Sequence, residues 1–347
     1  QSRERNLMRG LLDFSSRNPL IDFKGRNALK VLAPDPDILI ERLQGDGLKL
    51  TGGGKESPLS YEKDLLVLEE KNGILRTPVS SRETDALAAK LCRRNKEAVE
   101  ETGAKILFLA YGFLTYGAGE ETRRAPVVLV PAELHKAKGK EGFALSATGE
   151  RFINLTLVEF LNREYHVDLR GIENTALSVR EILGVFRRET ACMAGWEVTE
   201  ECYLSSFFFQ RFLMWNDLKE HFSAFRKNRV VEALLTGKMQ YDPPVSAIDP
   251  DKAEDLLLPL PSDASQRAAL QLSESGKSFV LQGPPGTGKS QTITNMIALA
   301  LQRGKSVLFV AEKNAAIAVV RRRLDEIGIG DFCLELSSRT DEGETFR

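Results

Sequence analysis

The chain of 347 residues has few of the residues from which disulfide frameworks and metal sites are built. Its three histidines lie apart from one another and from the cysteines. The four cysteines are widely scattered and lack the paired spacing that binds zinc: Cys92, Cys192, Cys202 and Cys333. We therefore expect reduced thiols and a cytoplasmic location.

Long hydrophobic runs and an excess of one charge are also missing. The longest apolar stretch, from Ile106 to Tyr116, is shorter than the ~20 residues that cross a bilayer. We expect no membrane partner. The formal net charge is −1, so any binding of nucleic acid has to come from a local basic face.

A complete phosphate-binding loop stands near the C-terminal end of the chain: Gly283, Pro284, Pro285, Gly286, Thr287, Gly288, Lys289 and Ser290. An apolar run precedes this P-loop, and a helix-like run from Ser290 to Gln302 follows it. Glycines let backbone N–H groups point at phosphate oxygens, and the helix N-terminus adds its dipole. The pattern predicts a site for ATP and Mg²⁺, with Lys289 on the phosphates, Ser290 as the metal ligand, and Gln291 beside them.

Gln266 precedes the P-loop by a short interval. Its amide can donate and accept together, so it can contact adenine through N6 and N7, which favours ATP over GTP. The alternative is structural, because Asp263 and Gln266 have the spacing of a capping box. No Asn-Lys-x-Asp run typical of a guanine site occurs in the sequence.

The acidic pair that normally follows a P-loop on a later strand is absent. Two later apolar runs, at 306–311 and 332–336, do not end in such a pair, and the chain begins with Gln1 and stops at Arg347. We therefore expect an N-terminal fragment of a larger protein, able to bind ATP with little or no turnover.

The composition predicts two domains and a linker. Residues 1–240 are expected to form a mixed α+β domain, with a hairpin turning at Asn72-Gly73, a helix over Ser81–Thr102 and strands near 106–110, 127–131 and 142–146. Helices are expected at 155–164, 178–186 and 203–222. A Pro-rich, acidic linker at 241–261 leads to residues 262–347, where alternating helices and strands (278–282, 306–311, 332–336) predict the first part of an α/β domain with a parallel sheet.

Three further groups of residues are candidates for contact with nucleic acid. Lys313 and Asn314 follow the strand at 306–311, although Asn314 could instead cap the next helix. The arginine run 321–323 and the similar run 226–229 are more typical of solvated faces. Phe207, Phe208, Phe209, Phe212 and Trp215 form an aromatic cluster that favours a hydrophobic core, although such rings also stack on bases.

From Asp263 to Ala316 the sequence resembles superfamily-1 DNA/RNA helicases, through Asp263–Gln266, the Pro-Pro-Gly-Thr core of the P-loop and Val310–Ala316. The N-terminal segments at 11–20, 101–104 and 125–131 resemble the uncharacterised domain that precedes the motor in bacterial multidomain members. This resemblance implies that residues 262–347 are the first part of a RecA-like P-loop NTPase domain. It implies ATP-driven movement on single-stranded DNA or RNA. It also implies that Gln266 contacts adenine and that Lys313 and Asn314 contact the strand.

Two alternatives stay open. In the first, the chain belongs to an ATP-gated protein-interaction module that moves no strand, for example one that acts in phage defence. In the second, residues 1 to about 240 are a docking platform for partner proteins. An unpaired edge of the expected partial sheet would also favour a homo-oligomer.

Overall fold

The computed structural model describes residues 7–8, 10–33, 35–45, 47–53, 63–137, 142–169, 172, 177–208, 210–237, 258–284 and 286–336. The chain divides into two compact units. The N-terminal unit comprises Gln1–Val99 and Ala104–Glu220, and the C-terminal unit comprises Glu100–Gly103 and His221–Arg347. Of the predicted linker, 241–257 lies outside the described residues.

The N-terminal unit is built on a mixed sheet with eight described strands. In chain order these are β1 (Leu29–Val31), β2 (Leu48–Gly52), β3 (Ile74–Thr77), β4 (Leu107–Tyr116), β5 (Arg123–Lys136), β6 (Phe143–Ala147), β7 (Phe152–Ile153) and β8 (Glu197–Ser206). Their order across the sheet is β1-β8-β4-β5-β6-β2-β3, and β7 pairs with β5. All of these pairs are antiparallel except β2 with β3.

The first 237 residues contain seven further described helices, of which the last belongs to the C-terminal unit. They are α1 (Pro36–Gln44), α2 (Lys63–Lys71), α3 (Ser81–Thr102), α4 (Leu155–Tyr165), α5 (Val179–Glu189), α6 (Gln210–Phe225) and α7 (Arg229–Thr236). Local signals set several ends: Ser178 and Glu181 form a capping box at the start of α5. The helix predicted over Ser81–Thr102 is confirmed, as are those near 155–164 and 178–186. Sheet and helices together agree with the mixed α/β class predicted from the sequence.

Two predictions for this unit are wrong. The segment expected to form a hairpin contains α2 followed by β3, because β2 and β3 run parallel and a parallel pair needs a crossover rather than a tight turn. The residues at 203–206 belong to β8 and not to a helix. Leu204 pairs there with Leu109 and Leu29, so pairing on both sides of the strand overrides the local helical pattern.

The two faces of the sheet carry separate cores. The larger core packs β4, β5 and β8 against α4 and α5, with Leu109, Val130 and Phe186 fully buried. Between Tyr111 and Phe113 the pairing of β4 with β8 shifts register at a bulge. Gly112 occupies this bulge with φ of 70°, where a Cβ atom would lie 2.3 Å from Cδ2 of Leu183. Only glycine fits this approach between the sheet and α5.

The C-terminal unit contains α8 (Ala264–Glu274), α9 (Lys289–Gln302) and α10 (Asn314–Glu326). Helices α9 and α10 pack through Ile297, Val320 and Leu324. The prediction of three strands in this unit is wrong, because no strand pairing is formed at 278–282, 306–311 or 332–336. A strand needs ladder partners for its backbone groups, and within the described residues these segments have none.

Candidate nucleotide-binding site

The P-loop curls tightly, and its glycines are required by the geometry. Gly286 and Gly288 have φ of 88° and 76°, a region that side chains disfavour. A Cβ atom on Gly283 would lie 2.5 Å from Oγ1 of Thr287, and one on Gly288 would lie 2.5 Å from Nε2 of Gln266. Pro285 lies outside the described residues. The loop therefore brings its backbone close to neighbouring groups at two points.

The helix that follows has an N-terminus suited to anions. Gly288 is the N-cap of α9, no side chain caps the first turn, and no acidic residue lies in that turn. The first N–H groups of an α-helix have no partner within the helix, and the helix dipole favours negative charge there. Lys289 and Ser290 are the first two residues of α9, so their side chains start at the same end.

The side chains of the P-loop fold back onto the loop. Nζ of Lys289 donates to the carbonyl oxygen of Gly283 at 2.7 Å, and Oγ1 of Thr287 donates to the carbonyl oxygen of Pro284 at 2.8 Å. Lys289 is exposed and Ser290 is half-buried. An exposed lysine with a single neutral acceptor is free to exchange that carbonyl for a phosphate oxygen.

A buried amide connects α9 to the residues that precede α8. The side chain of Asn295 is fully buried and both donates to and accepts from the backbone of Leu260, at 3.0 and 3.1 Å. Next to it, Nε2 of Gln291 donates to the carbonyl oxygen of Pro261. Asn295 was overlooked in the sequence analysis. The signal that could have identified it is the presence of an asparagine within the largely apolar helix α9.

Gln266 forms the capping box that the sequence left as the structural alternative. Its backbone N–H donates to Oδ1 of Asp263 at 2.8 Å, and its Oε1 accepts from the N–H of Asp263 at 3.3 Å. Its Nε2 also donates to the carbonyl oxygen of Thr287 at 3.1 Å. The amide thus joins the first turn of α8 to the P-loop.

Lys313 and Asn314 begin α10. Lys313 is the N-cap and makes no side-chain capping bond, while Asn314 is already the first helical residue. The alternative in which Asn314 caps the helix is therefore wrong. Lys313 is exposed and Asn314 is half-exposed, so both are accessible at the surface of the C-terminal unit.

Three arginines of the two runs pair with neighbouring acids. Arg321 pairs with Asp325 at 3.0 Å, and Arg322 pairs with Glu326 at 3.6 Å, each across one helical turn. Arg226 pairs with Glu232 at 3.0 Å through two hydrogen bonds. These pairings favour solvated, charge-balanced faces over an interface with nucleic acid.

Neither a metal cluster nor a membrane span is found among the residues that the structure describes. In that part of the chain, no group of three or more His, Cys, Asp and Glu side chains is arranged to hold a metal ion. Among the described helices, none combines the length and the apolar character that a membrane crossing needs.

Two protein families match the chain. A family described as a protein of unknown function (DUF4011) matches residues 10–161, and a family described as an AAA domain matches residues 261–339. The second match contains the whole P-loop together with Gln266, Lys313 and Asn314.

Similarity to known proteins extends over both units. The uncharacterized ATP-dependent helicase MG140 homolog of Mycoplasma pneumoniae is 27% identical over an alignment of 267 residues, and the match covers 68% of this chain and 23% of that protein. MG140 of Mycoplasma genitalium is 28% identical over 271 residues, with the same shares. The DNA polymerase alpha-associated DNA helicase A of Schizosaccharomyces pombe is 31% identical over an alignment of 102 residues, and the match covers 24% of this chain and 16% of that protein. The chain thus spans less than a quarter of the length of these relatives, and no solved structure matches it significantly.

Proposed function

We propose that this chain, which carries a P-loop NTPase segment of the superfamily-1 helicase type behind a DUF4011 domain, binds ATP–Mg²⁺ at the start of α9. The observation that carries the proposal is the P-loop geometry. Two glycines with positive φ, an uncapped helix N-terminus without acidic residues and an exposed Lys289 converge at one point. This combination matches the charge and shape of a triphosphate.

Each residue of the loop has a distinct task in this proposal. The N–H groups at the start of α9 bind the β-phosphate, and Lys289 exchanges its bond to Gly283 for phosphate oxygens. The hydroxyl of Ser290 would hold Mg²⁺, and the ion would neutralise charge on the phosphates.

Gln266 has two tasks in this account. It now holds the helix cap and the carbonyl of Thr287, and an adenine contact requires its amide to exchange these bonds for N6 and N7 of the base. We propose this exchange because Gln266 lies against Gly288, directly beside the loop. Binding of the base would then be coupled to the conformation of the P-loop.

We further propose that the chain belongs to a longer cytoplasmic protein that couples ATP hydrolysis to movement on a single-stranded nucleic acid. The similarity to ATP-dependent helicases supports this proposal, and those relatives are much longer than the chain. Lys313 and Asn314, at the accessible start of α10, would contact the strand through its phosphates.

Nucleotide affinity of a single variant tests the proposal. Lys289→Ala is expected to weaken binding of a fluorescent ATP analogue by about 10- to 100-fold, the range for a lost hydrogen bond to a charged group. Lys305→Ala, which removes an exposed lysine just after α9, is the matched control and should bind as the unmodified chain does. Equal affinity in all three proteins would show that the P-loop assignment is wrong.

A further inference from the structure

A second cavity with the chemistry of an anion site lies in the N-terminal unit. Its volume is about 280 Å³, and its lining includes Asp13, Arg17, Thr156, Phe208 and Arg211. These residues come from the turn that follows the N-terminal segment, from the start of α4, and from the junction of β8 with α6. The cavity belongs to one unit and is separate in the chain from the P-loop.

The turn that carries Arg17 is held firmly by its own hydrogen bonds. The N–H of Asn18 donates to the carbonyl oxygen of Ser15 at 3.1 Å. Nδ2 of Asn18 donates to the carbonyl oxygen of Asp13 at 2.6 Å, and its Oδ1 accepts from the N–H of Leu20 at 3.0 Å. Arg17 itself is exposed. The turn therefore fixes the backbone from which the Arg17 side chain extends along the lining of the cavity.

The two arginines of the cavity differ from those of the two arginine runs. Neither Arg17 nor Arg211 forms an ion pair with another described residue, whereas Arg321, Arg322 and Arg226 all do. The carboxylate of Asp13 already accepts a hydrogen bond from the N–H of Ser15 at 3.0 Å. The formal charge of the lining is +1, so the cavity favours an anionic ligand.

Thr156 adds a polar group without a partner at the base of the cavity. It is the second residue of α4 and is only 2% exposed, and its hydroxyl has no hydrogen-bond partner among the described residues. The cap residue, Asn154, accepts from the N–H of Leu157. A buried unpaired hydroxyl beside a helix N-terminus is suited to an acceptor such as a phosphate oxygen.

Phe208 stands out from the aromatic cluster identified in the sequence. Phe207 and Trp215 are buried at 0% and 6% exposure and belong to cores, as the structural interpretation of the cluster predicts. Phe208 is 60% exposed and lies on the rim of the cavity. The side chains of Phe209 and Phe212 lie outside the described residues. An exposed ring next to two arginines is the arrangement that binds a base and its phosphate.

We propose that this cavity binds one nucleotide of a single-stranded nucleic acid. Arg17 and Arg211 bind the phosphodiester, Thr156 donates to one of its oxygens, and Phe208 stacks on the adjacent base. This site goes beyond the proposed ATPase function, because it needs neither the P-loop nor nucleotide hydrolysis. It also places a local cationic site on a chain whose net charge gives no attraction to nucleic acid.

The test is the affinity of the chain for a labelled oligo-dT or oligo-U strand, measured by fluorescence anisotropy at low salt without ATP. The double variant Arg17→Gln/Arg211→Gln should bind at least ~10-fold more weakly, and its log–log salt slope should be shallower by about 1.4. Phe208→Ala should lose roughly 5- to 150-fold, and Phe208→Trp should retain binding.

Arg187→Gln/Arg188→Gln is the control, since it removes the same charge from exposed arginines that are paired with Glu200 and Glu189. Equal losses in the two double variants would mean diffuse attraction and would overturn the proposal, as would a parent chain that does not bind the strands. Competition separates the sources of phosphate. If inorganic phosphate displaces the strand as effectively as unlabelled oligo-dT does, the site binds free phosphate and the assignment to a strand is wrong.

Discussion

A buried carboxyl group makes the stability of the N-terminal unit sensitive to pH. Glu70, near the end of α2, is 1% exposed, and neither of its carboxyl oxygens has a hydrogen-bond partner among the described residues. Burial, and secondarily the charge of Asp35, raises the pKa of Glu70 from 4.5 to about 7. The buried thiol of Cys202 also lies within its electrostatic reach. In the folded protein Glu70 is therefore about half protonated at pH 7 and largely protonated below about pH 6.

The direction of the pH effect follows from where each state releases the proton. Below pH 4.5 the carboxyl is protonated in both states, so Glu70 costs nothing. Between pH 4.5 and 7 the unfolded chain is ionised while the folded chain holds its proton, so the free energy of unfolding falls as pH rises. The loss is about 1 kcal/mol at pH 5 and about 3 kcal/mol at pH 8, where it is complete.

Glu70→Gln removes this titration and keeps the shape of the protonated side chain. The difference in unfolding free energy between the variant and the unmodified chain should grow in favour of the variant by about 2 kcal/mol from pH 5 to pH 8. Denaturant titrations followed by tryptophan fluorescence measure this gain in the N-terminal unit, which contains both tryptophans, Trp196 and Trp215. Glu41→Gln, at an exposed glutamate of α1, controls for the loss of one charge. A difference in unfolding free energy between variant and parent that is the same at pH 5 and pH 8 would refute the reasoning.

Three further substitutions test packing and site geometry. Asn154→Ala should lower the unfolding free energy in chemical denaturation by about 3 kcal/mol, because it removes the cap of α4 and leaves two buried carbonyl groups unpaired. A loss under ~1 kcal/mol would contradict that role. Gly112→Ala should cost about 2–4 kcal/mol through positive φ and collision with Leu183, and an unchanged thermal midpoint would disprove the close approach. Gly288→Ala should displace Gln266 and lower ATP affinity by about 10-fold or more in equilibrium titration, and normal affinity would show that the loop tolerates a side chain there.

Features set by short-range pattern were predictable from the sequence. The P-loop is defined by glycine spacing, and the long helix α3 by its periodicity, so both were found where the structure has them. The segment around Glu70 was misjudged because charged residues near an Asn-Gly pair indicate a hairpin tip. Its burial depends on the parallel pairing of β2 with β3, which no local pattern reveals.

Contacts between distant parts of the chain explain most of what the sequence could not predict about the candidate sites. The amide of Asn295 contacts Leu260, and Thr156 lines a cavity that Arg17 and Arg211 also line. Contacts between residues so far apart in the chain depend on the tertiary fold. The prediction of strands in the C-terminal unit was wrong for a related reason, since a strand is defined by its pairing with neighbouring strands and not by its own residues alone.

The most direct test of the central claim is ATP turnover by the longer protein that we propose contains this chain. Turnover would be measured alone and with single-stranded DNA or RNA, with Lys289→Ala as control. The account predicts that one of the two polymers stimulates turnover and that Lys289→Ala abolishes it. Turnover that is indifferent to both polymers would contradict movement on a strand and favour the ATP-gated interaction module. Turnover that survives Lys289→Ala would contradict the P-loop site itself.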